Sequence, residues 1–179
     1  MNIEPLNTPN IRLDELIRGE IAGVDQRKIT GIALDSRKIK PNWLYVALPG
    51  TKSHGARYAD QAIALGAAAI MTDAVGAGII ETTAVPILVA DDVRKTMGRV
   101  SARLFGQPAQ KLNTVGITGT NGKTTTAFLT ASALSDRHTA TIGTIGFRLD
   151  GVELVNDRST VTTPESPDLQ ALLAVMVDR

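Results

Sequence analysis

The sequence predicts an α/β protein in two parts: a small N-terminal α/β domain, then an incomplete second domain. Three observations carry this. Apolar strand patterns alternate with helical ones from Ile29 to Phe105. Gly106-Gln107-Pro108-Ala109-Gln110 interrupts them with chain breakers and no apolar anchor. A glycine-rich turn, Gly116 to Lys123, then sits between a β-branched run and a helical run. Strand–helix–strand order implies a sheet with helices packed on it.

Taken in order, Ile11, Leu13, Leu16 and Ile17 give a short amphipathic helix. Ile29 to Leu34 reads as one strand by alternation and ends in the polar turn Asp35-Ser36-Arg37. Trp43 to Leu48 is a continuous apolar run, the pattern of a buried strand, stopped by Pro49-Gly50. Tyr58 to Leu65 reads as a helix ending at Gly66, Ala67 to Met71 and Pro86 to Ala90 as short strands. Asp91 or Asp92 caps a helix to Phe105, whose Val93, Met97, Val100 and Leu104 step by 4, 3 and 4 along one face. Beyond the linker, Leu112 to Ile117 and Thr139 to Ile145 read as strands, and Lys123 to Leu134 as the helix between them. Gly146 to Thr163 is polar and irregular, with a hairpin as the candidate form. Pro167 to Val177 returns to helical spacing, with Ser166 as its expected N-cap.

Composition narrows the function. The 179 residues are 43% hydrophobic and carry a net charge of +1, so neither nucleic acid nor a charged membrane surface is an expected partner. Six aromatic residues leave little for base stacking. Without cysteine there are no disulfides, thiolate metal sites or cysteine nucleophiles, and with His54 and His138 alone a multi-histidine site is not expected. The longest apolar stretch, Ile63 to Met71, is far below the ~20 residues of a spanning helix, and the start of the chain has no signal-peptide pattern. The expectation is a cytoplasmic protein.

The strongest chemical signal is Gly116-Ile117-Thr118-Gly119-Thr120-Asn121-Gly122-Lys123-Thr124. Strand, glycine-rich turn and helix are the setting of a P-loop, in which inward N–H groups and a helix N-terminus hold phosphate. Lys123 would reach the terminal phosphates and the Thr124 hydroxyl would ligate Mg²⁺. The first glycine stands at 116, where the strict motif requires it at 117, so the loop is a variant.

Thr118 to Thr126 resembles the ATP loop of the Mur ligase family, one that folylpolyglutamate synthetases share. Asp35-Ser36-Arg37, Trp43 to Gly50 and Ser53-His54-Gly55 resemble the N-terminal domain of two Mur ligases, those adding the third peptide residue and D-Ala-D-Ala. Thr162-Thr163-Pro164-Glu165-Ser166-Pro167-Asp168-Leu169-Gln170 is similar to the third-residue ligase alone. The resemblance implies ligation of meso-diaminopimelate or L-lysine to UDP-N-acetylmuramoyl-L-alanyl-D-glutamate in peptidoglycan synthesis. ATP would phosphorylate the substrate carboxylate, and the incoming amine would displace phosphate from that acyl phosphate. It further implies that Gly119, Thr120, Asn121, Gly122, Lys123, Thr124 and Thr125 hold ATP. Leu34, Ser36, Thr51, Lys52, Ser53, Thr162 and Thr163 would hold the UDP-sugar-peptide, with Lys123 and Thr124 as the catalytic pair.

The expected division is a UDP-sugar-binding domain at 1–108 and, at 109–179, the first part of an ATP-binding central domain. A second Mg²⁺ ligand, the adenine side and an amino-acid-selecting C-terminal domain are expected outside these residues, supplied by further sequence or by a second chain. A non-catalytic nucleotide-sugar-binding module or half of a split ligase is the alternative reading. Taken without the resemblance, Asp35-Ser36-Arg37 is an ordinary polar turn, and His54 reads as a solvated loop residue.

Overall fold

A computed structural model describes residues 5, 7, 9–21, 25–81, 84–134, 136–154 and 164–179. It divides into two compact units, residues 7–106 and residues 107–179, the second also taking in Pro5.

In the first unit, β1 (Ile11–Arg12) pairs antiparallel with β2 (Lys28–Ile29) and runs straight into α1 (Leu13–Leu16). Four parallel strands follow in sequential order: β3 (Gly31–Ala33), β4 (Trp43–Val46), β5 (Ala67–Thr72) and β6 (Ile87–Val89). The alternation from Ile29 to Leu34 therefore covers two strands in two sheets. The break falls at Thr30, whose N–H donates to the Asn42 carbonyl at 2.9 Å and hands the chain from one ladder to the other.

The sheet is buried on both faces. Leu44, Val46, Ala69 and Met71 pack on one side with Leu13, Leu16 and Ile17 of the α1 region. Val93, Met97, Val100 and Leu104 of α4 (Val93–Leu104) join them there. Tyr45, Ala47 and Ile70 point to the other side, onto Ala59 and Ala62 of α2 (Ala59–Ala64) and the half-buried Ile79 of α3 (Ala74–Ile79). The two-residue period of β4 thus sorts its side chains between two helical layers. Asp92 caps α4 by accepting from the Lys95 N–H at 3.0 Å. Gly31 is fixed by contact, since a Cβ there would lie 2.3 Å from the Trp43 indole.

The second unit contains α5 (Lys123–Ala133), the antiparallel sheet of β7 (Ala140–Gly143), β8 (Gly146–Leu149) and β9 (Val152–Leu154), and α6 (Ser166–Val177). Leu172 and Val175 of α6 cover Phe147, Leu149 and Leu154. One strand expectation fails here. Leu112 to Ile117 is not a strand. A parallel strand needs neighbours to bond its N–H and C=O groups, and none of the described strands lies alongside it. Thr139 to Ile145 supplies β7, but as half of a hairpin: Gly143 pairs with Gly146 across a two-residue turn, Gly146 taking φ +94°. The expected hairpin after Gly146 is present. Asp150 and Gly151, at φ +50° and +77°, make its two-residue turn, as a primed turn requires. The N-cap position of α6 is Glu165, one residue before the expected Ser166, and it makes no side-chain cap bond.

Among the described residues no helix is long and apolar enough to cross a membrane.

Candidate functional site

The expected site residues of the first unit gather beyond the carboxyl ends of adjacent parallel strands, where open α/β sheets leave a crevice for ligands. Leu34, Asp35 and Ser36 follow β3 directly. Asp35 accepts from the Arg37 N–H at 3.0 Å and pairs with its guanidinium at 2.7 Å. That guanidinium holds the Asp35 carboxyl below its ordinary value despite partial burial. The buried Ser36 hydroxyl donates to Gln61 Oε1 of α2 at 2.6 Å. This bond leaves the Gln61 amide N–H groups and the Ser36 lone pairs for a ligand. No local pattern marked Gln61; its spacing from Ser36 is tertiary.

Thr51, Lys52 and Ser53 lie in the loop after β4, Thr51 and Lys52 exposed and Ser53 half-buried. The loop is closed at its base. Pro49 and His54 form an antiparallel bridge, the Gly55 N–H donates to the Leu48 carbonyl at 2.8 Å, and the Tyr45 hydroxyl donates to the Gly55 carbonyl at 2.8 Å. Burial pushes the Tyr45 hydroxyl up to about 12, so it stays a donor. Gly50 is required, since a Cβ there would lie 2.6 Å from the Ser53 carbonyl oxygen.

His54 departs from the solvated role expected of it. Its side chain is 10% exposed. Nδ1 accepts from the Ala56 N–H at 3.0 Å, and Nε2 lies 3.1 Å from Asp73 Oδ1 at the start of α3. Asp73 also accepts from the Gly76 N–H at 2.7 Å; that bond, aided by His54, lowers its pKa.

In the second unit the glycine loop enters α5 directly. Gly119 and Gly122 take φ +146° and +76°, and Gly122 is the N-cap residue with no side-chain cap bond, so the first-turn N–H groups are left for an anion. Thr120, Asn121, Lys123 and Thr125 are exposed and Thr124 half-buried. The Lys123 ammonium curls back to donate to the Gly119 carbonyl, with the Thr120 carbonyl at 3.5 Å. The Thr124 hydroxyl is a hard oxygen on the first turn of α5 and suits Mg²⁺ as one ligand among phosphates and waters. No group of three potential metal-ligating side chains occurs among the described residues. Thr162 and Thr163 lie outside the described residues.

An open cavity of about 500 Å³ lies elsewhere in this unit, lined by Phe128, Arg137, His138, Arg148 and Asp150 among others. It contains none of the expected residues. A phosphate cradle is made of backbone N–H groups on a loop, not of an enclosed volume, so the loop is the better chemical candidate.

A parallel α/β unit whose expected site residues follow adjacent strands, and a second unit whose glycine-rich loop opens a helix, are the elements a nucleotide-handling protein would use. Comparison with known proteins specifies it. Residues 28–104 match the Mur ligase family, catalytic domain, and residues 117–179 match the Mur ligase middle domain. The chain belongs to the Mur ligase family. A UDP-N-acetylmuramoyl-L-alanyl-D-glutamate–2,6-diaminopimelate ligase of Streptomyces avermitilis is 47% identical over 153 residues, 85% of this chain and 30% of that one. The ligase of the same name from Corynebacterium glutamicum is 38% identical over 176 residues, 93% of this chain and 34% of that one. A solved structure of a ligase of that name superposes with a TM-score of 0.68 at 28% identity, over 92% of this chain and 33% of that one. The chain thus spans about a third of the length of the curated relatives it matches.

Proposed function

We propose that these residues are the substrate-anchoring part of a cytoplasmic ATP-dependent ligase that adds 2,6-diaminopimelate to UDP-N-acetylmuramoyl-L-alanyl-D-glutamate. One observation carries the proposal: relatives bearing that activity in their names match across both units. In this reading residues 1–108 bind the UDP-sugar-peptide and 109–179 begin the ATP domain. Leu34, Ser36 and the Thr51-Lys52-Ser53 loop hold the nucleotide sugar, and Thr162 and Thr163 remain candidates for the UDP-sugar-peptide by sequence resemblance alone. Gly119 to Thr125 hold the ATP phosphates, with N–H groups of the loop and of the first turn of α5 as donors.

The chemistry then runs in two balanced steps. A carboxylate oxygen of the substrate takes the γ-phosphoryl group and ADP leaves. The amine attacks the acyl carbon, phosphate leaves and the amine proton goes to solvent or a base. Lys123 offsets charge on the phosphoryl oxygens during the first step. Thr124 would ligate Mg²⁺, which when bound adds further charge neutralisation there.

The 179 residues by themselves are proposed not to complete ligation. Curated relatives are about three times as long, and holding the amine against the acyl phosphate supplies much of the rate. That part of the enzyme lies on other polypeptide, whether continuous with these residues or on a second chain.

Calorimetric titration of UDP-N-acetylmuramoyl-L-alanyl-D-glutamate into the 179-residue protein tests the anchoring role. Heat of binding and a raised melting temperature are expected; a folded protein that shows neither refutes it. Amino-acid-dependent phosphate release with ATP and Mg²⁺, above a Lys123→Ala control, would refute the inactivity.

A further inference from the structure

The loop that carries Thr51, Lys52 and Ser53 is joined to β4 at one end and to the turn before α2 at the other. Backbone bonds close its base, but one side chain ties it to a different strand. His54 Nδ1 accepts from the Ala56 N–H, so Nδ1 carries no proton and Nε2 does. The Nε2–H therefore donates to Asp73 Oδ1, 3.1 Å away and 19 positions along the chain. Asp73 follows the carboxyl end of β5. Its Oδ1 is in turn held by the Gly76 N–H at 2.7 Å.

The packing around this pair is specific. A Cβ at Gly76 would lie 2.5 Å from the His54 ring and 2.0 Å from the Thr72 hydroxyl. A side chain there would expel the imidazole. Thr72 Oγ1 itself donates to the Ala47 carbonyl at 2.9 Å, a second tie between the ends of β4 and β5. The base of the exposed loop is thus braced against the next strand through a nearly buried imidazole.

We infer that His54 and Asp73 form a clamp that positions the Thr51–Ser53 loop for a nucleoside diphosphate, with His54 as a positioning residue that does not touch the ligand. The inference rests on the UDP-sugar reading of this crevice. It adds that the affinity of the loop depends on a link outside the loop.

The two functions of Asp73 separate by substitution. Asp73→Ser keeps an N-cap oxygen for the Gly76 N–H but is too short to reach His54. Asp73→Asn keeps an Oδ1 acceptor for both donors. Each is made in the 179-residue protein and probed with UDP by calorimetry, alongside hydrogen exchange at the Ala56 amide. Asp73→Ser is expected to melt near the unsubstituted protein, exchange faster at Ala56 and bind UDP about tenfold more weakly, equal to about 1.4 kcal/mol. Asp73→Asn is expected to restore both. UDP affinity unchanged in Asp73→Ser, or not restored in Asp73→Asn, overturns the clamp. If Asp73→Ser does not fold, His54→Asn makes the same comparison: its oxygen can take the Ala56 N–H but does not reach Asp73. Failure of the unsubstituted protein to bind UDP refutes the nucleotide reading and the positioning role with it. The exchange data then still decide whether His54 braces the loop.

Discussion

Replacing Lys123 with alanine removes the cation that the phosphate loop sets at the start of α5, and the structure lets the loss be sized. A hydrogen bond from an ammonium to a phosphate oxygen is worth about 1.5–3 kcal/mol. Against this stands what Lys123 surrenders on binding. Its ammonium already donates to the Gly119 carbonyl and lies near that of Thr120, in an exposed loop. In so exposed a setting water competes for the ammonium, and such contacts return only about 0.5–1 kcal/mol net. The difference, about 1–2 kcal/mol, predicts roughly five- to thirtyfold weaker binding of Mg²⁺-ATP. Because Lys123 is exposed, the melting temperature of the nucleotide-free protein should barely move. The assay is a fluorescence or calorimetric titration of the 179-residue protein and its variant with ATP and Mg²⁺. Equal affinities would show that the ammonium does not meet phosphate, and the loop would then be only a glycine-rich turn into α5.

Met97→Ala empties a site that is 1% exposed between α4 and the sheet, and should cost about 2–5 kcal/mol in urea unfolding. Gly31→Ala drives a methyl group into the Trp43 indole, so a drop of comparable size is expected in the same measurement, with red-shifted Trp43 fluorescence in the folded state. Asp35 and Asp73 both have folded pKa values below their unfolded ones. They stabilise the fold above the unfolded value, and this stability is lost as pH falls through the folded one. The urea midpoint should hold from pH 7 to about 5 and decline below about 4, and less steeply in Asp73→Asn.

The first unit was largely legible because its signals are local. The steps of Val93, Met97, Val100 and Leu104 mark one helical face, and all four are buried. Trp43 to Leu48 lacked polar alternation, as a strand covered on both faces must, and its residues divide between two cores. What escaped was tertiary. The two sheets meeting at Thr30 share one continuous alternation, so no pattern separates β2 from β3. Asp73 before Ala74, Val75 and Gly76 carries an N-cap signature, but nothing in the sequence links it to His54. Gln61 likewise meets the Ser36 hydroxyl only when α2 is laid against the turn after β3.

The second unit shows the complementary limit. Leu112 to Ile117 has the composition of a buried strand, yet Val115 is 73% exposed, and α5 has no buried residue and a 65% exposed Leu129. Propensity names the conformation such a run prefers when paired; the pairing itself must come from neighbouring strands. The phosphate loop is different because its shape is set within a few residues. Positive φ at Gly119 and Gly122 and the return of Lys123 to the Gly119 carbonyl fix it without any sheet. The cradle can therefore exist on an uncovered helix. Residues 113–116 ahead of it are exposed and outside any described strand, so no described ladder holds them extended. In the proposed reading, phosphate recognition would therefore rest on the glycines and Lys123, and tight nucleotide affinity on whatever holds Leu112 to Ile117 extended.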